Sequence, residues 1–207
     1  MKPKPNKSIS LKGKSIYWFA ALLIIIGFSR HLPLDYPNLL NFSPVLAIFL
    51  ISGSYIKGKF SLFIPVIAVI ISDLSLRDNY STNIIEPFMA VTLASYLLIF
   101  FLGRKMSGSN SSLKITGTSM LSALAFHVIT CSFAWIVNPV YTKSLTGLLQ
   151  SIFIGEAGYA PSYLFLRNSM LSTVIFSLVL AYIASSIAQS QTKDHKIVSP
   201  SDLLKTD

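Results

Sequence analysis

The sequence is poor in charged residues and in cysteine. Of its 207 residues 12% are Asp, Glu, Lys or Arg, against about 25% in ordinary soluble domains, and 52% are hydrophobic. These proportions exclude an ordinary soluble domain and indicate an integral membrane protein. The single cysteine, Cys131, excludes an internal disulfide framework and any metal site built from several cysteines.

Sequence motifs for catalysis are also missing. The chain has no Gly-rich phosphate loop, no HExxH pattern and no recognisable Ser-His-Asp motif. Without a phosphate loop the chain has no means of hydrolysing ATP itself. We therefore predict that the protein is not an enzyme and has no cofactor, and an intramembrane enzyme is the weakest of three hypotheses for its function.

The apolar residues form runs that predict membrane-spanning helices. These runs cover 15–29, 44–56, 60–76, 87–103, 115–137 and 168–189. We predict an all-α, polytopic membrane helical bundle with about six transmembrane helices. A single membrane domain, 15–190, lies between a disordered basic cytoplasmic tail, 1–14, and a polar cytoplasmic tail, 191–207. The basic start and short first run also resemble a signal peptide, although the small residues of a cleavage site are poorly matched.

Two of the runs are unusual for transmembrane helices. The run 44–56 has Ser43 as an N-cap and Pro44 at its first helical position. It would form only roughly 20 Å of helix, against about 30 Å of hydrocarbon, unless residues 36–42 dip into the membrane. Pro65 interrupts the third run. Short or interrupted spans mark substrate sites in many transporters, and Gly53 should let the second run pack closely on a neighbour.

A shorter helix is predicted between the fifth and sixth runs. From Ser144 to Phe153 the apolar residues recur at helical spacing along one stripe: Leu145, Leu148, Leu149, Ile152 and Phe153. We predict a helix that does not cross the membrane and lies in the interface or caps the bundle. Residues 155–158 (GEAG) should end it, and Pro161 hinders its continuation.

The positive charges indicate the orientation in the membrane. Most of the 17 Lys and Arg residues fall on the side of the two termini, and the opposite side holds Arg30, Arg77, Lys143 and Arg167. By the positive-inside rule both termini are cytoplasmic in a multi-pass protein of the plasma membrane. The rule also accounts for the net charge of +9. We therefore predict the lipid bilayer, and no nucleic acid, as a partner.

Polar residues near the extracytoplasmic ends of the spans form the candidate binding site. Such groups are costly at membrane depth and usually face a cavity, a partner or a ligand. The predicted substrate-binding residues are Arg30, Asn41, Asp73, His127, Glu156, Arg167 and Asn168. Two alternatives are open: Arg30 and Asp73 are helix-end charges that reach lipid headgroups, or the polar residues only tie helices together in a non-catalytic assembly protein.

His127 and Cys131 lie four residues apart and therefore on one helix face. Three alternatives are open for His127. It is a buried histidine bonded to a neighbouring span, a residue that faces substrate, or one of two ligands of a metal. The metal is the least favoured of the three, because a catalytic zinc site generally takes three protein ligands and a structural site four. We therefore predict no metal site.

Several short motifs resemble the signature of an uncharacterised bacterial six-span family of proposed transport proteins. That family is similar to the substrate-binding S components of energy-coupling-factor vitamin transporters. The matching positions are Arg30, Pro33, 41–44 (NFSP), Ala47, 52–53 (SG), Tyr55, Pro65, 72–74 (SDL), 129–130 (IT), Trp135, 141–148 and 167–168 (RN). Departures are Cys131, where the family has asparagine, and Ser172-Thr173, where it has Gly-Asp.

The resemblance implies both a fold and a function. An S component is a six-helix bundle that captures a vitamin-like small molecule on the outer face. It works with a membrane coupling subunit and ATPases. A small-molecule uptake protein, or the substrate-binding subunit of one, is therefore the leading functional hypothesis, with the assembly protein as the alternative. The identity of the substrate is not encoded in any motif.

The predicted orientation can be tested by cysteine labelling of intact cells. A cysteine placed at Ser81 should react with a membrane-impermeant maleimide from outside, and a cysteine at Ser109 should not, because the two positions lie on opposite sides of the predicted fourth span. Cys131 is first replaced by serine, and permeabilised cells serve as the labelling control. The reverse pattern would contradict the orientation.

Overall fold

Seven α-helices make up the part of the chain that a computed structural model describes, residues 15–31, 35–58, 60–76, 87–106, 109 and 111–197. They are α1 (Ser15–Phe28), α2 (Val45–Tyr55), α3 (Phe60–Leu76), α4 (Pro87–Met106), α5 (Ser112–Val137), α6 (Leu145–Leu149) and α7 (Ser162–Ile197). The predicted all-α class is confirmed. The tail predicted at 1–14, residues 77–86 between the third and fourth apolar runs, and residues 198–207 of the second predicted tail lie outside the described residues.

Three of the helices are long and apolar enough to cross a membrane. They cover Pro87–Met106, Ser112–Val137 and Ser162–Ser190. The first three helices are shorter, with 14 residues in α1, 11 in α2 and 17 in α3, whereas a crossing helix needs about 20. The chain therefore has the helices of a multi-pass membrane protein, and the count of six spans stays a prediction.

α2 is the central helix of the bundle. Every residue from Val45 to Tyr55 is buried, as expected for a helix that is apolar on all sides. One of its flanks packs in a cluster with α1 and α7, through residues such as Phe19, Ile48 and Leu180. The opposite flank packs in a second cluster with α4 and α5. α2 therefore lies between these two clusters.

Glycines allow α2 and α4 to approach closely. A Cβ atom added to Gly53 would lie 2.2 Å from the carbonyl oxygen of Phe100, and one added to Gly103 would lie 2.0 Å from that of Leu50. Side chains are thus excluded from both faces of this crossing. The prediction that Gly53 permits close packing is confirmed, and Gly103 is its counterpart on α4.

Two predicted helix boundaries were wrong. α7 begins at Ser162, six residues before the predicted start at Asn168, and continues past Gln189 to Ile197. Its first turn follows Pro161, whose carbonyl oxygen accepts a hydrogen bond from the amide of Leu164 at 3.0 Å. The apolar run indicated the part of the helix that suits a membrane, and helical backbone extends beyond it at both ends.

The segment between the fourth and fifth apolar runs, 104–114, is also partly helical, so the connection between the two helices is shorter than the runs indicated. α4 continues to Met106, with Arg104 and Lys105 in its last turn, where positive charge stabilises the negative end of the helix dipole. α5 begins at Ser112, because Ser111 is its N-cap and accepts a hydrogen bond from the amide of Lys114.

The short helix predicted at Ser144–Phe153 is present, and its second half is a π-turn. The hydroxyl of Ser144 accepts a hydrogen bond from the amide of Gly147 at 3.2 Å and caps α6. The π-turn Gln150–Ile154 follows and contacts α5 and α7. Gly155 ends it with φ 86°, a left-handed conformation that favours glycine. The helical prediction is confirmed, as is the break at Gly155.

The close crossing of α2 and α4 gives a prediction for stability. Gly53→Ala and Gly103→Ala should each lower the free energy of unfolding by about 1–3 kcal/mol, because the added methyl groups would overlap backbone oxygens. Gly117→Ala is the matched control. A Cβ atom there meets open space, so alanine should be neutral or stabilise α5 by up to about 1 kcal/mol.

Thermal melting of the three purified variants in detergent measures these differences. Equal melting temperatures for the Gly103→Ala and Gly117→Ala variants would contradict the close approach of the two helices.

Candidate functional site

A pocket lies at the end of the bundle where α1 ends and α2 begins. Its volume is about 70 Å³. It is lined by residues from the turn after α1, the segment before α2, and α2, α4, α5 and α7: Arg30, Asn41, Ser43, Val45, Leu46, Tyr96, Phe126 and Ser169. The short length of α2 leaves room for it, because neighbouring helices continue past the point where α2 begins.

Arg30 is held beside the pocket by contacts to α3. It lies in the 3₁₀ turn Ser29–His31 that continues α1. Its Nη1 atom forms a salt bridge with Oδ1 of Asp73 and a 3.4 Å hydrogen bond to Oγ of Ser72. The Ser72 hydroxyl donates to the carbonyl of Gly27 at 3.1 Å. The end of α1 is thus tied to the last turns of α3.

The salt bridge is only partly buried. The side chain of Arg30 is 22% exposed and that of Asp73 is 46% exposed. The carboxylate is therefore the less buried of the two groups. A pair of this kind stabilises a fold by about 0–1 kcal/mol, so the larger cost of breaking a fully buried pair does not apply to Asp73.

Asn168 holds the segment that carries Asn41. Its Nδ2 atom donates to the carbonyl oxygens of Asn38 at 2.9 Å and Leu40 at 2.8 Å. Its Oδ1 atom accepts from Nε and Nη2 of Arg167, both at 3.1 Å. Every polar atom of the Asn168 amide therefore has a partner, and Arg167 and Asn168 together fix the backbone beside the pocket.

Asn41 has a left-handed backbone conformation, with φ 62°. Asparagine adopts this conformation more readily than most residues, because its short polar side chain tolerates it. The turn redirects the chain toward α2 and leaves the exposed Asn41 side chain at the pocket. Asn41 thus has two separate roles: its backbone forms the turn before α2, and its side chain lines the pocket.

Aromatic rings form one wall of the pocket. The Tyr96 ring is stacked between two phenylalanines, with its centroid 4.9 Å from that of Phe49 and 5.7 Å from that of Phe126. The interplanar angles are 18° and 4°. Stacks of this kind fix ring positions, since each ring limits the movement of its neighbour. The wall therefore has a defined shape.

His127 and Cys131 lie away from this pocket lining. His127 is 4% exposed, and its Nε2 atom is 2.8 Å from the carbonyl oxygen of Ile152 in the π-turn. A carbonyl accepts, so this contact requires the proton on Nε2. The Sγ atom of Cys131 lies 3.7 Å from the same nitrogen. Of the three alternatives for His127, the structure supports the buried, bonded histidine, although its partner is a π-turn.

Glu156 belongs to the same region as His127. Its Oε2 atom accepts a hydrogen bond from Nδ2 of Asn138 at 3.0 Å. Nearby Tyr141 is buried, and burial raises the pKa of its phenol, as does the negative charge of Glu156 to a lesser extent. Within the described residues, no three His, Cys, Asp or Glu side chains come together in a group able to hold a metal ion.

The seven predicted site residues therefore divide into three groups. Arg30 and Asn41 line the pocket, with Asp73 bonded to Arg30. Arg167 and Asn168 act on the pocket through the backbone of residues 38–40. His127 and Glu156 organise the segment around α6 instead.

Sequence reasoning did not find the wall residues Tyr96 and Phe126, or Ser169. A tyrosine inside an apolar run was the available signal, because a buried phenol usually needs a polar partner. Nothing in the sequence distinguishes Phe126 from the other phenylalanines of the spans.

The contacts predict unequal costs for two substitutions. Asn168→Ala should lower the free energy of unfolding by about 1–3 kcal/mol, because it leaves two backbone carbonyls without their donor. Asp73→Asn should cost less than about 1 kcal/mol, because the pair is partly exposed and asparagine still accepts from Arg30. Melting temperatures in detergent compare the two variants. A larger loss for Asp73→Asn would contradict this assignment of roles.

Comparison with known proteins gives a family without a described activity. A model of a family of unknown function matches residues 11–195, which is most of the chain. No curated protein matches the sequence. No solved structure matches it either.

Proposed function

The chain belongs to DUF6580, the family of unknown function whose model covers it, and from that premise we propose that it is a membrane protein that binds a small molecule at Arg30 and Asn41. The proposed role is uptake, either by this protein alone or as the substrate-binding subunit of a transporter. The observation that carries the proposal is the pocket between helices, lined by one charged and several polar side chains.

The backbone around the pocket supports this proposal. Residues 40–44 leave the helical conformation between a 3₁₀ turn and α2. Non-helical backbone at membrane depth is tolerated where it is buried in protein or lines a cavity. Transporters place substrate sites at such interruptions between helices. The pocket beside Asn41 and Ser43 has this arrangement.

The size of the pocket bears on its ligand. At about 70 Å³ it is smaller than the roughly 300–1,000 Å³ of sites that enclose drug-sized ligands. The volume favours a small molecule, or one part of a larger molecule that reaches beyond the pocket. A vitamin-like ligand would therefore place only one of its groups beside Arg30.

The proposed topology places this pocket on the extracytoplasmic side. In it α1 to α5 and α7 are the six spans, α2 completes its crossing with the segment before it, and both termini are cytoplasmic. Its support is the distribution of positive charge. A coupling subunit and ATPases are proposed partners, and their support is the sequence resemblance to S components.

A second candidate function is a non-catalytic assembly protein of the membrane. The observation that favours it is that polar side chains join separate segments. Arg30 and Asp73 join the end of α1 to α3, and Asn168 joins α7 to the segment before α2. On this hypothesis the pocket contains only water, and the polar residues serve the stability of the bundle.

Analysis of co-purifying small molecules separates the two functions. The protein is purified in mild detergent, extracted with solvent, and the extract analysed by mass spectrometry. We expect a molecule that is retained by the wild type and lost from Arg30→Gln and Asn41→Gly. Glycine adopts the left-handed conformation without strain, so the second variant removes the side chain and keeps the turn.

Glu156→Gln is the control for this experiment. This substitution removes a negative charge near α6, where Glu156 contacts Asn138 rather than the pocket. The variant should therefore retain the molecule. Melting temperatures identify any variant that is not folded. If the wild type contains no bound molecule, or if the molecule remains bound in the Arg30→Gln variant, the assembly protein is favoured.

A further inference from the structure

We propose that the ligand of this pocket is a small organic anion, whose carboxylate or phosphate binds Arg30. Asp73 is in this arrangement a positioning residue that orients Arg30 and competes with the ligand for it. This inference rests on the proposed function and specifies the chemical class of its ligand.

The charge of the pocket lining indicates an anionic ligand. Among the described residues that line it, Arg30 is the only charged one, and the polar others are neutral: Asn41, Ser43, Tyr96 and Ser169. The nearest carboxylate in contact with Arg30 belongs to Asp73, which does not appear among the described lining residues. The Arg30 side chain is only 22% exposed, so its charge attracts an anion in the pocket more strongly than it would in bulk water.

The guanidinium of Arg30 has donors that suit an anionic ligand. Both of its described contacts, to Asp73 and to Ser72, are made by Nη1. The guanidinium group has five N–H donors in a planar fork that suits carboxylate and phosphate. Within the described part of the chain, the donors on Nε and Nη2 have no hydrogen bond, so they are available to a ligand.

The aromatic wall indicates that the anion is organic. The near-parallel rings of Tyr96 and Phe126 both line the pocket, and the apolar side chains of Val45 and Leu46 lie beside them. A bare inorganic anion would gain nothing from this surface. An organic anion would place its charged group at Arg30 and its apolar part against the wall.

The exposure of Asp73 predicts the sign of its effect. Its side chain is 46% exposed and forms a salt bridge with Arg30. A ligand carboxylate must therefore approach Arg30 against the negative charge of Asp73. Asparagine at this position would keep a hydrogen-bond acceptor for Nη1 and remove the repulsion. Asp73→Asn should consequently strengthen the binding of an anion, whereas it would weaken the binding of a cation.

Benzoate and benzamide are suitable probes, because they have nearly the same shape and differ in charge. The purified full-length protein is melted in detergent with sodium benzoate, with benzamide, or with benzylammonium chloride, all at one ionic strength. A ligand that binds the folded state raises its melting temperature in a concentration-dependent manner. We expect benzoate to raise it and the other two compounds to leave it unchanged.

Four variants assign the effect to Arg30. Arg30→Gln should weaken benzoate binding by about tenfold or more, the loss typical of a charged hydrogen-bonding partner. Arg30→Lys should have an intermediate effect, because it keeps the charge without the fork. Asp73→Asn should strengthen binding about two- to fivefold. Lys143→Gln removes a positive charge whose ammonium group contacts the carbonyl of Asn138 instead, and it should change nothing.

The same chemistry could reach the pocket as the phosphate of an anionic lipid. Repeating the measurement in nanodiscs of phosphatidylcholine, with and without phosphatidylglycerol, distinguishes the two sources. If phosphatidylglycerol abolishes the effect of benzoate in the wild type, the lipid headgroup is the anion. If it has no influence, the anion is a soluble molecule.

Four outcomes would overturn the inference. If benzamide or benzylammonium stabilises the protein through Arg30 and benzoate does not, or if Asp73→Asn weakens the effect of benzoate, the ligand is not an anion held in this way. If a neutral molecule co-purifies and depends on Arg30, the anion is excluded while small-molecule binding stands. If no compound has an effect that depends on Arg30 and nothing co-purifies, both proposals fail.

Discussion

The structure depends on one constraint, which is that its central helix is too short to cross a membrane. α2 has 11 residues, or about 16 Å of helix, and it is buried on every side. Its unsatisfied terminal backbone groups must therefore find partners within the protein. The hydroxyl of Ser43 accepts a hydrogen bond from the amide of Val45 at 3.3 Å. The segment before α2 is consequently held among the longer helices, and the pocket lies beside that segment.

A non-helical segment in this position needs attachments that replace helical hydrogen bonds. Asn168 supplies them by donating to two backbone carbonyls, those of Asn38 and Leu40, while Arg167 fixes its amide. The left-handed residue Asn41 follows directly. The conformation at the pocket is therefore set from α7, the helix most distant in sequence from α1. Residues outside the described pocket lining thereby determine where Asn41 lies.

Hydrophobic periodicity predicted the elements better than their arrangement. The bounds of α3 agree with its apolar run, whereas α7 begins six residues before its run because helical backbone does not require apolar residues. Arg30, Asn41 and Asp73 could be grouped from the sequence because each adjoins a span end on one predicted side. His127 and Glu156 share that side but lie elsewhere, since span order does not specify position around the bundle. The Tyr96 and Phe126 wall depends on the same unspecified packing.

The salt bridge between Arg30 and Asp73 does not by itself indicate a purely structural site. A fully paired polar core would favour an assembly protein and an unpaired charge would favour binding, but this bundle has a paired arginine that also lines a pocket. A charged group within a membrane bundle is costly without a counter-ion, so an arginine of the proposed binding site would need a partner before its ligand binds. A partly exposed carboxylate suits that purpose, because water solvates it when the contact weakens and little free energy is lost. The exposure of Asp73, rather than the presence of the pair, is therefore the property that makes the site compatible with ligand binding.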